Sequence, residues 1–144
     1  MNKYLNPLSR ALLAAIFVVS GFGKIAGFHE TVAMAGAAGL PLPAFSIAIA
    51  ALVEIAGGLA LLAGWQVRWA SLALIAFLIP ATLLFHAAHL GDPAQSRMQM
   101  VEVMKNLAIL GGLLKFYTGA SSDASGIAAR PEAEPRELRI RRAG

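Results

Sequence analysis

The stretch AFSIAIAALVEIAGGLALLAG, residues 44–64, decides the fold of this chain. It carries a single charge, Glu54, and consists otherwise of apolar and small residues apart from Ser46. A helix needs about 20 predominantly apolar residues to cross the hydrocarbon core of a bilayer. The stretch therefore predicts a transmembrane helix with an ionisable group near its centre.

The composition of the whole chain agrees with a membrane location. Of its 144 residues, 58% are hydrophobic and 14% are charged, whereas soluble domains carry roughly 25% charged residues. A soluble domain of this length would not bury so much apolar surface. The net charge is +4, but the basic residues do not form a stripe interleaved with aromatic residues. Such a stripe is typical of nucleic-acid-binding proteins. We therefore predict contact with the lipid bilayer and no nucleic-acid partner.

Three further apolar segments complete a predicted four-helix bundle. One precedes the central stretch at residues 8–28, and two follow it at 69–90 and 99–118. The last is interrupted by Glu102 and Lys105, so it can span only with its polar face turned toward the other helices. The predicted fold class is thus all-α, with residues 1–118 forming one integral membrane domain.

Two segments are predicted to lie outside the membrane core. Residues 29–39 are too polar and too rich in small residues to span. They predict a short interfacial helix after the first span, which lies on the membrane surface or folds back into the mouth of the bundle. Residues 119–144 are rich in Ser, Ala, Arg, Glu and Pro, which predicts a disordered tail. The arginines of this tail place it in the cytoplasm, and an even number of spans places the N-terminus there too.

An ionisable residue inside a span costs roughly 2.5–3.5 kcal/mol unless it has a partner or a cavity, and five such residues need placing: Lys24, Glu54, His86, Glu102 and Lys105. The helical rise places all of them between the bilayer midplane and the outer surface. Spacings of three and four residues put the polar groups of each helix on one face. We therefore predict a polar cavity that opens outward, with six candidate binding residues: Lys24, Glu54, His86, Glu102, Lys105 and Asn106.

The charged candidates also have a structural interpretation. Lys24, Glu102 and Lys105 lie near enough to the outer surface for their side chains to reach water. Glu54 lies too deep for that, so its structural interpretation is an ion pair with Lys105 or Lys24. Both interpretations stay open on the sequence.

The residue pattern does not favour a metal or haem site. His86 and His89 share a helix face, but a zinc or copper site needs further ligands nearby. A di-iron site needs four carboxylates, and a haem needs histidines on facing helices. The chain has no cysteine, which excludes thiol catalysis and iron–sulfur ligation, and it shows no nucleotide-binding motif. We therefore predict no metal site.

Several local patterns occur in order along the chain. They are FVVSGFGK at residues 17–24, GLPLP at 39–43, EIAGGLALLAG at 54–64 followed by Arg68, FH at 85–86, and KNLAILGGLL at 105–114. Together they resemble the DoxX family of small bacterial and archaeal membrane proteins, over about residues 8–117. Where the family usually has aromatic residues after the Phe-His pair, this chain has Ala87, Ala88 and His89.

The resemblance implies a four-helix protein of the bacterial or archaeal inner membrane. The family takes its name from a membrane subunit linked to quinone-dependent sulfur oxidation. It therefore implies a membrane subunit of a quinone-linked oxidoreductase, with a quinone bound and a redox partner protein supplying electrons. A non-redox carrier or lipid-binding protein and a purely structural assembly subunit are the alternatives, because fold does not determine function. The small residues on the helices are also compatible with a homo-oligomer, and whether the chain is an enzyme stays open.

Overall fold

The computed structural model describes residues 2–87, 90–91 and 96–128, and within these ranges it describes side chains from residue 4 to residue 119. This part of the chain contains five helices and no strand. The helices are α1 (Asn2–Ala26), α2 (Phe28–Ala37), α3 (Pro43–Ala63), α4 (Val67–Phe85) and α5 (Ser96–Ala128). The prediction of an all-α fold is confirmed.

In the described part of the chain, three helical segments are long and apolar enough to cross a membrane. They are Tyr4–Ala26, Pro43–Ala63 and Val67–Phe85, and they correspond to the first three predicted spans. α5 is longer than any of them, but Glu102, Lys105 and Asn106 lower its hydropathy. The fourth span therefore stays a prediction, as does the interfacial position of α2.

Two helix ends differ from those expected. α4 ends at Phe85 instead of near residue 90, because the backbone leaves the helix at His86. The prediction followed the charge-free run of residues, and this run contains no residue that signals the end of a helix at His86. α5 continues to Ala128, beyond the expected start of the tail at Gly119. Helix propagation adds one hydrogen bond per residue, and no proline intervenes before residue 131. His89 and residues 129–144 lie outside the described residues, so the disordered tail there stays a prediction.

α3 is the central helix of the bundle. It packs against α1 and α4, and α2 packs near its start. α4 also packs against α5, whereas α1 and α5 contact each other little. The order of the four long helices is therefore α1, α3, α4, α5, with a sparse seam between the first and the last.

Two adjacent glycines allow α3 to approach both neighbours closely. A Cβ atom at Gly58 would lie 2.8 Å from Val18 Cγ2 on α1, and one at Gly57 would lie 2.9 Å from Leu74 Cγ on α4. Glycine has no side chain to hold the neighbouring helix away, so the helix backbones can approach each other closely. The apolar core between the helices consists of Ala14, Phe17, Leu61, Leu74, Leu78 and Leu113.

Gly64 ends α3 in the left-handed conformation, with φ of 75°, and lies against the side chain of Arg10. A Cβ atom there would lie 2.5 Å from Arg10 Nη1. We expect Gly64→Ala to lower the free energy of unfolding by roughly the 1–2 kcal/mol that left-handed backbone costs alanine. The guanidinium is the far end of a flexible side chain and can turn aside at little cost, and thermal unfolding in detergent would measure the loss.

Gly39 offers the matched control for this substitution. It also has a left-handed backbone, with φ of 82°, but a Cβ atom there would meet nothing within 4 Å. Gly39→Ala should therefore show the backbone strain alone, and the losses in the two variants should be similar. A clearly larger loss for Gly64→Ala would contradict this and show that the Arg10 guanidinium is held rigidly against the end of α3.

Candidate functional site

A cavity of about 320 Å³ lies within the bundle and is lined by residues from all five helices. Most of its wall is apolar and is formed by Ile16, Phe17, Met34, Phe77, Leu78, Ala81, Phe85 and Ile109. The polar part of the wall is formed by Ser20, Lys24, Thr31, Glu54, His86, Glu102, Lys105 and Asn106. The structure thus brings all six candidate residues to one cavity, and their role in binding stays a prediction.

Three side chains from α1 and α3 form a closed triangle in this wall. Lys24 Nζ lies 2.8 Å from Glu54 Oε2 and donates a 2.8 Å hydrogen bond to Ser20 Oγ. The Ser20 hydroxyl donates in turn to Glu54 Oε1 at 2.9 Å. Glu54 is only 3% exposed, so its carboxylate needs the nearby cation to offset desolvation. Of the two ion-pair partners that the sequence left open for Glu54, the structure gives Lys24.

The triangle depends on the close packing of α1 against α3. Ser20 and Lys24 are one helical turn apart and therefore lie on the same face. Between them, Gly21 lies directly against α3, where an added Cβ atom would come within 2.6 Å of Ile55 Cγ1. The missing side chain at Gly21 brings α1 near enough for both polar groups to reach Glu54.

The Lys24 ammonium also lies over the ring of Phe77, 5.8 Å from its centroid. A cation over an aromatic face is attracted by the negative potential of the ring. Lys24 is thereby held between α3 and α4, although it belongs to α1. Its position is set by three helices at once.

A second set of polar contacts joins α4 to α5 on another side of the cavity. Asn106 Nδ2 donates to Thr82 Oγ1 at 3.0 Å, and the Thr82 hydroxyl donates to the carbonyl oxygen of Leu78 at 2.7 Å. His86 Nδ1 lies 2.9 Å from Gln99 Oε1. An amide oxygen only accepts, so in this contact the ring nitrogen Nδ1 is the donor.

Glu102 and Lys105 form an ion pair one turn apart on α5. Their side chains are 34% and 45% exposed, which places this pair at the mouth of the cavity. Exposed pairs of this kind contribute little to stability. The described lining of the cavity therefore contains two ion pairs, Lys24 with Glu54 and Lys105 with Glu102.

Some residues in or beside the site were not among the six candidates, such as Ser20 in the triangle with Lys24 and Glu54. Thr31 and Met34 reach the cavity from α2, for which the sequence left open the membrane surface or the mouth of the bundle. Their spacing of three residues was the available signal, since it places both on one face of a helix. Gln99, which contacts the cavity residue His86, gave no signal, because His86 lies just beyond the end of α4 and Gln99 lies on α5.

Comparison with known proteins assigns the chain to a family. A family model of DoxX proteins matches residues 7–87, which is more than half of the chain. The chain belongs to the DoxX family. The DoxX match runs from α1 to the end of α4, so it includes Ser20, Lys24 and Glu54 but not the residues that α5 contributes.

Two inner membrane proteins of Escherichia coli K12 are similar to this DoxX chain. YqjF is 35% identical over 107 residues, which cover 74% of this chain and 77% of YqjF. YphA is 26% identical over 109 residues, which cover 74% of this chain and 76% of YphA. No solved structure matches the chain. The resemblance to the DoxX family drawn from the sequence patterns is therefore confirmed.

Proposed function

We propose that this DoxX-family protein binds the head group of a lipid-soluble quinone, as a membrane subunit of a quinone-linked oxidoreductase in the bacterial inner membrane. The observation that carries the proposal is the cavity within the bundle. Its wall combines aromatic and aliphatic side chains with hydrogen-bond donors on separate helices. Ligand sites are commonly apolar pockets with a few convergent polar groups of this kind.

The donors around the cavity suit a ring with a carbonyl oxygen on each of two opposite edges. Lys24 on α1 has three N–H protons; one is donated to Ser20, and the ammonium is ion-paired with Glu54. Lys105 and Asn106 on α5 supply N–H groups from another helix. A donor for each carbonyl oxygen is therefore present, and the rings of Phe17 and Phe77 offer apolar surface to the head group.

The charge balance of the cavity favours a neutral ligand. Lys24 pairs with Glu54, and Lys105 pairs with Glu102. A charged ligand would have to compete with one of these ion pairs, and breaking the buried one leaves an uncompensated charge at a cost of several kcal/mol. A quinone is neutral and needs only hydrogen bonds.

A bound quinone would supply the redox chemistry, and this chain would bind and orient it. The chain contains no cysteine, so it has no thiolates for an iron–sulfur cluster. We therefore propose that a partner protein delivers the electrons. The role of the chain is then to hold the ring at a fixed depth in the membrane.

We also infer that α5 crosses the membrane beside α1, α3 and α4. Asn106 on α5 faces the cavity, whereas Met104 and Leu107 are 52% and 51% exposed. Leu113 is fully buried in the core. Polar groups inside and apolar groups outside are the pattern of a membrane bundle. Four spans would place both termini on the same side of the membrane. The arginine-rich tail would make that side the cytoplasm.

Lys105→Ala provides the first test of the quinone site. A hydrogen bond from a charged donor contributes about 1.5–3 kcal/mol, so the variant should retain roughly ten- to a hundredfold less quinone than the unmodified protein. Mass spectrometry of the organic extract from gently purified protein would measure the quinone content per chain. Unchanged quinone content in this variant would exclude Lys105 from the site.

Lys115→Ala is the matched control for that measurement. Lys115 lies on the same helix and is exposed, but it does not line the cavity. Its replacement should leave the quinone content unchanged. An extract of the unmodified protein that holds no quinone would favour the alternative function, a carrier or binding protein for another neutral molecule, which the balanced charges of the cavity equally suit.

A further inference from the structure

α1 and α5 line the same cavity but contact each other little. Their contact is close at one level, where a Cβ atom added to Gly112 would lie 3.3 Å from Leu13 Cδ2. Leu113, next in sequence, is fully buried. The seam between the two helices is therefore closed at this level, below the polar part of the cavity.

From this contact toward the polar groups, residue numbers rise along α1 and fall along α5, so the two helices are antiparallel. With a rise of about 1.5 Å per residue, Ile16 and Ile109 lie at one height, three residues above the contact. Ser20 and Lys105 lie at a second height, roughly 10 Å above it. These two levels bound a stretch of seam that coincides with the cavity.

The polar groups on each side of this stretch have their partners on α3 or on their own helix. Ser20 and Lys24 direct their contacts to each other and to Glu54 on α3. Lys105 pairs with Glu102 on its own helix. Among the described residues that line the cavity, no hydrogen bond or ion pair joins α1 to α5, so nothing polar has to break for the helices to part there.

Two side chains along this stretch, one on each helix, reach the surroundings. Ile16 is 37% exposed and the Lys105 side chain is 45% exposed, although both line the cavity. Residues that line a cavity and also reach the outer surface mark an opening. The neighbouring outward positions on α1 are apolar and exposed, with Leu12 at 69% and Val19 at 71%. In a membrane bundle such a face meets lipid, so the opening leads sideways into the bilayer.

The size of the cavity limits what it can contain. Its 320 Å³ lies at the lower end of the roughly 300–1,000 Å³ range of small-molecule sites. That space suits a substituted ring but not a ring together with a long hydrocarbon chain. Each CH₂ group kept out of water is stabilised by about 0.8 kcal/mol, so such a chain belongs in the lipid outside the opening.

We propose that the seam between Ile16 and Ile109 is a lateral portal. Through it the ligand enters from the bilayer, and its chain remains in the portal and the lipid while the head group occupies the cavity. The ligand class is then an amphiphile with a neutral head and an apolar chain. This inference rests on the proposed function and specifies it as binding of a long-chain quinone.

The absence of native cysteine allows the portal to be closed chemically. Ile16→Cys combined with Ile109→Cys, bridged by a short bismaleimide, would tie α1 to α5 across it. The probes are a dimethoxy-methyl-benzoquinone with a decyl chain and the same ring without the chain. The bridged protein should bind the chain-bearing quinone at least about tenfold more weakly. The chainless ring, which can reach the cavity from water beside Glu102 and Lys105, should bind as before.

A bridge between Leu13→Cys and Gly112→Cys is the matched control, because these positions are already in contact. That bridge should leave the binding of both quinones unchanged. Unaltered binding of the decyl quinone to protein bridged at positions 16 and 109 would overturn the portal and leave the quinone site standing. If neither quinone binds the unbridged protein, the quinone proposal fails, and the inference fails with it.

Discussion

Lys24→Met is expected to lower the free energy of unfolding by about 3–5 kcal/mol, the usual cost of removing one partner from a buried ion pair. Methionine keeps the apolar stem of the lysine but leaves Glu54, only 3% exposed, without its cation. The Ser20 hydroxyl alone would then have to solvate the carboxylate. Unfolding of the purified protein by SDS in mixed micelles would measure the loss.

The double variant Lys24→Met with Glu54→Gln tests whether the loss comes from the stranded charge. It contains neither charge, so most of the lost stability should return, as replacement of a buried ion pair by uncharged groups is often nearly neutral. Losses that simply add in the double variant would show that the two residues act independently. Glu102→Gln serves as the exposed counterpart, and it should cost no more than about 1 kcal/mol.

Gly21→Val should produce the second large loss, with about 3 kcal/mol as the upper value for overpacking a closely packed site. The new Cβ atom would lie 2.6 Å from Ile55 Cγ1 and 3.1 Å from the carbonyl oxygen of Ala51. The side chain of Ile55 can turn, but the backbone carbonyl cannot give way. α1 must therefore move away from α3, which also separates Ser20 from Glu54.

Gly23→Val is the matched control on the same helix. A Cβ atom there would meet nothing within 4 Å, while the change in helix propensity is identical. It should leave both the unfolding midpoint and the quinone content close to those of the unmodified protein. An equal loss from both substitutions would mean that the close approach of α1 to α3 does not stabilise the fold.

Hydropathy was sufficient to predict most of the fold. The apolar runs identified α1, α3 and α4, because apolar length is what a bilayer selects. The same signal failed at the end of α4, where the chain turns at His86 without a charge or a proline. It also left α5 unresolved as a span, since its polar groups lower the average hydropathy whichever way they face.

The candidate residues of the site could be predicted from the cost of placing a charge in the membrane, but their pairing could not. Any charge inside an apolar run needs a partner or a cavity, and that requirement singled out the residues that the structure places around one cavity. The choice of Lys24 over Lys105 for Glu54 depends on which helix lies beside α3. Periodicity along one helix does not tell which helices are neighbours in the bundle. For the same reason, the contact between His86 and Gln99 could not be predicted.

The ion pair of Lys24 and Glu54 also determines how the site responds to the voltage across the membrane. Moving one elementary charge across the whole membrane changes its electrical free energy by about 2.3 kcal/mol per 100 mV of membrane potential. Here opposite charges lie 2.8 Å apart, so a shift of the pair as a unit carries no net charge through the field. With a neutral ligand, occupancy of the cavity is then electrically silent, and an energised membrane neither fills nor empties it.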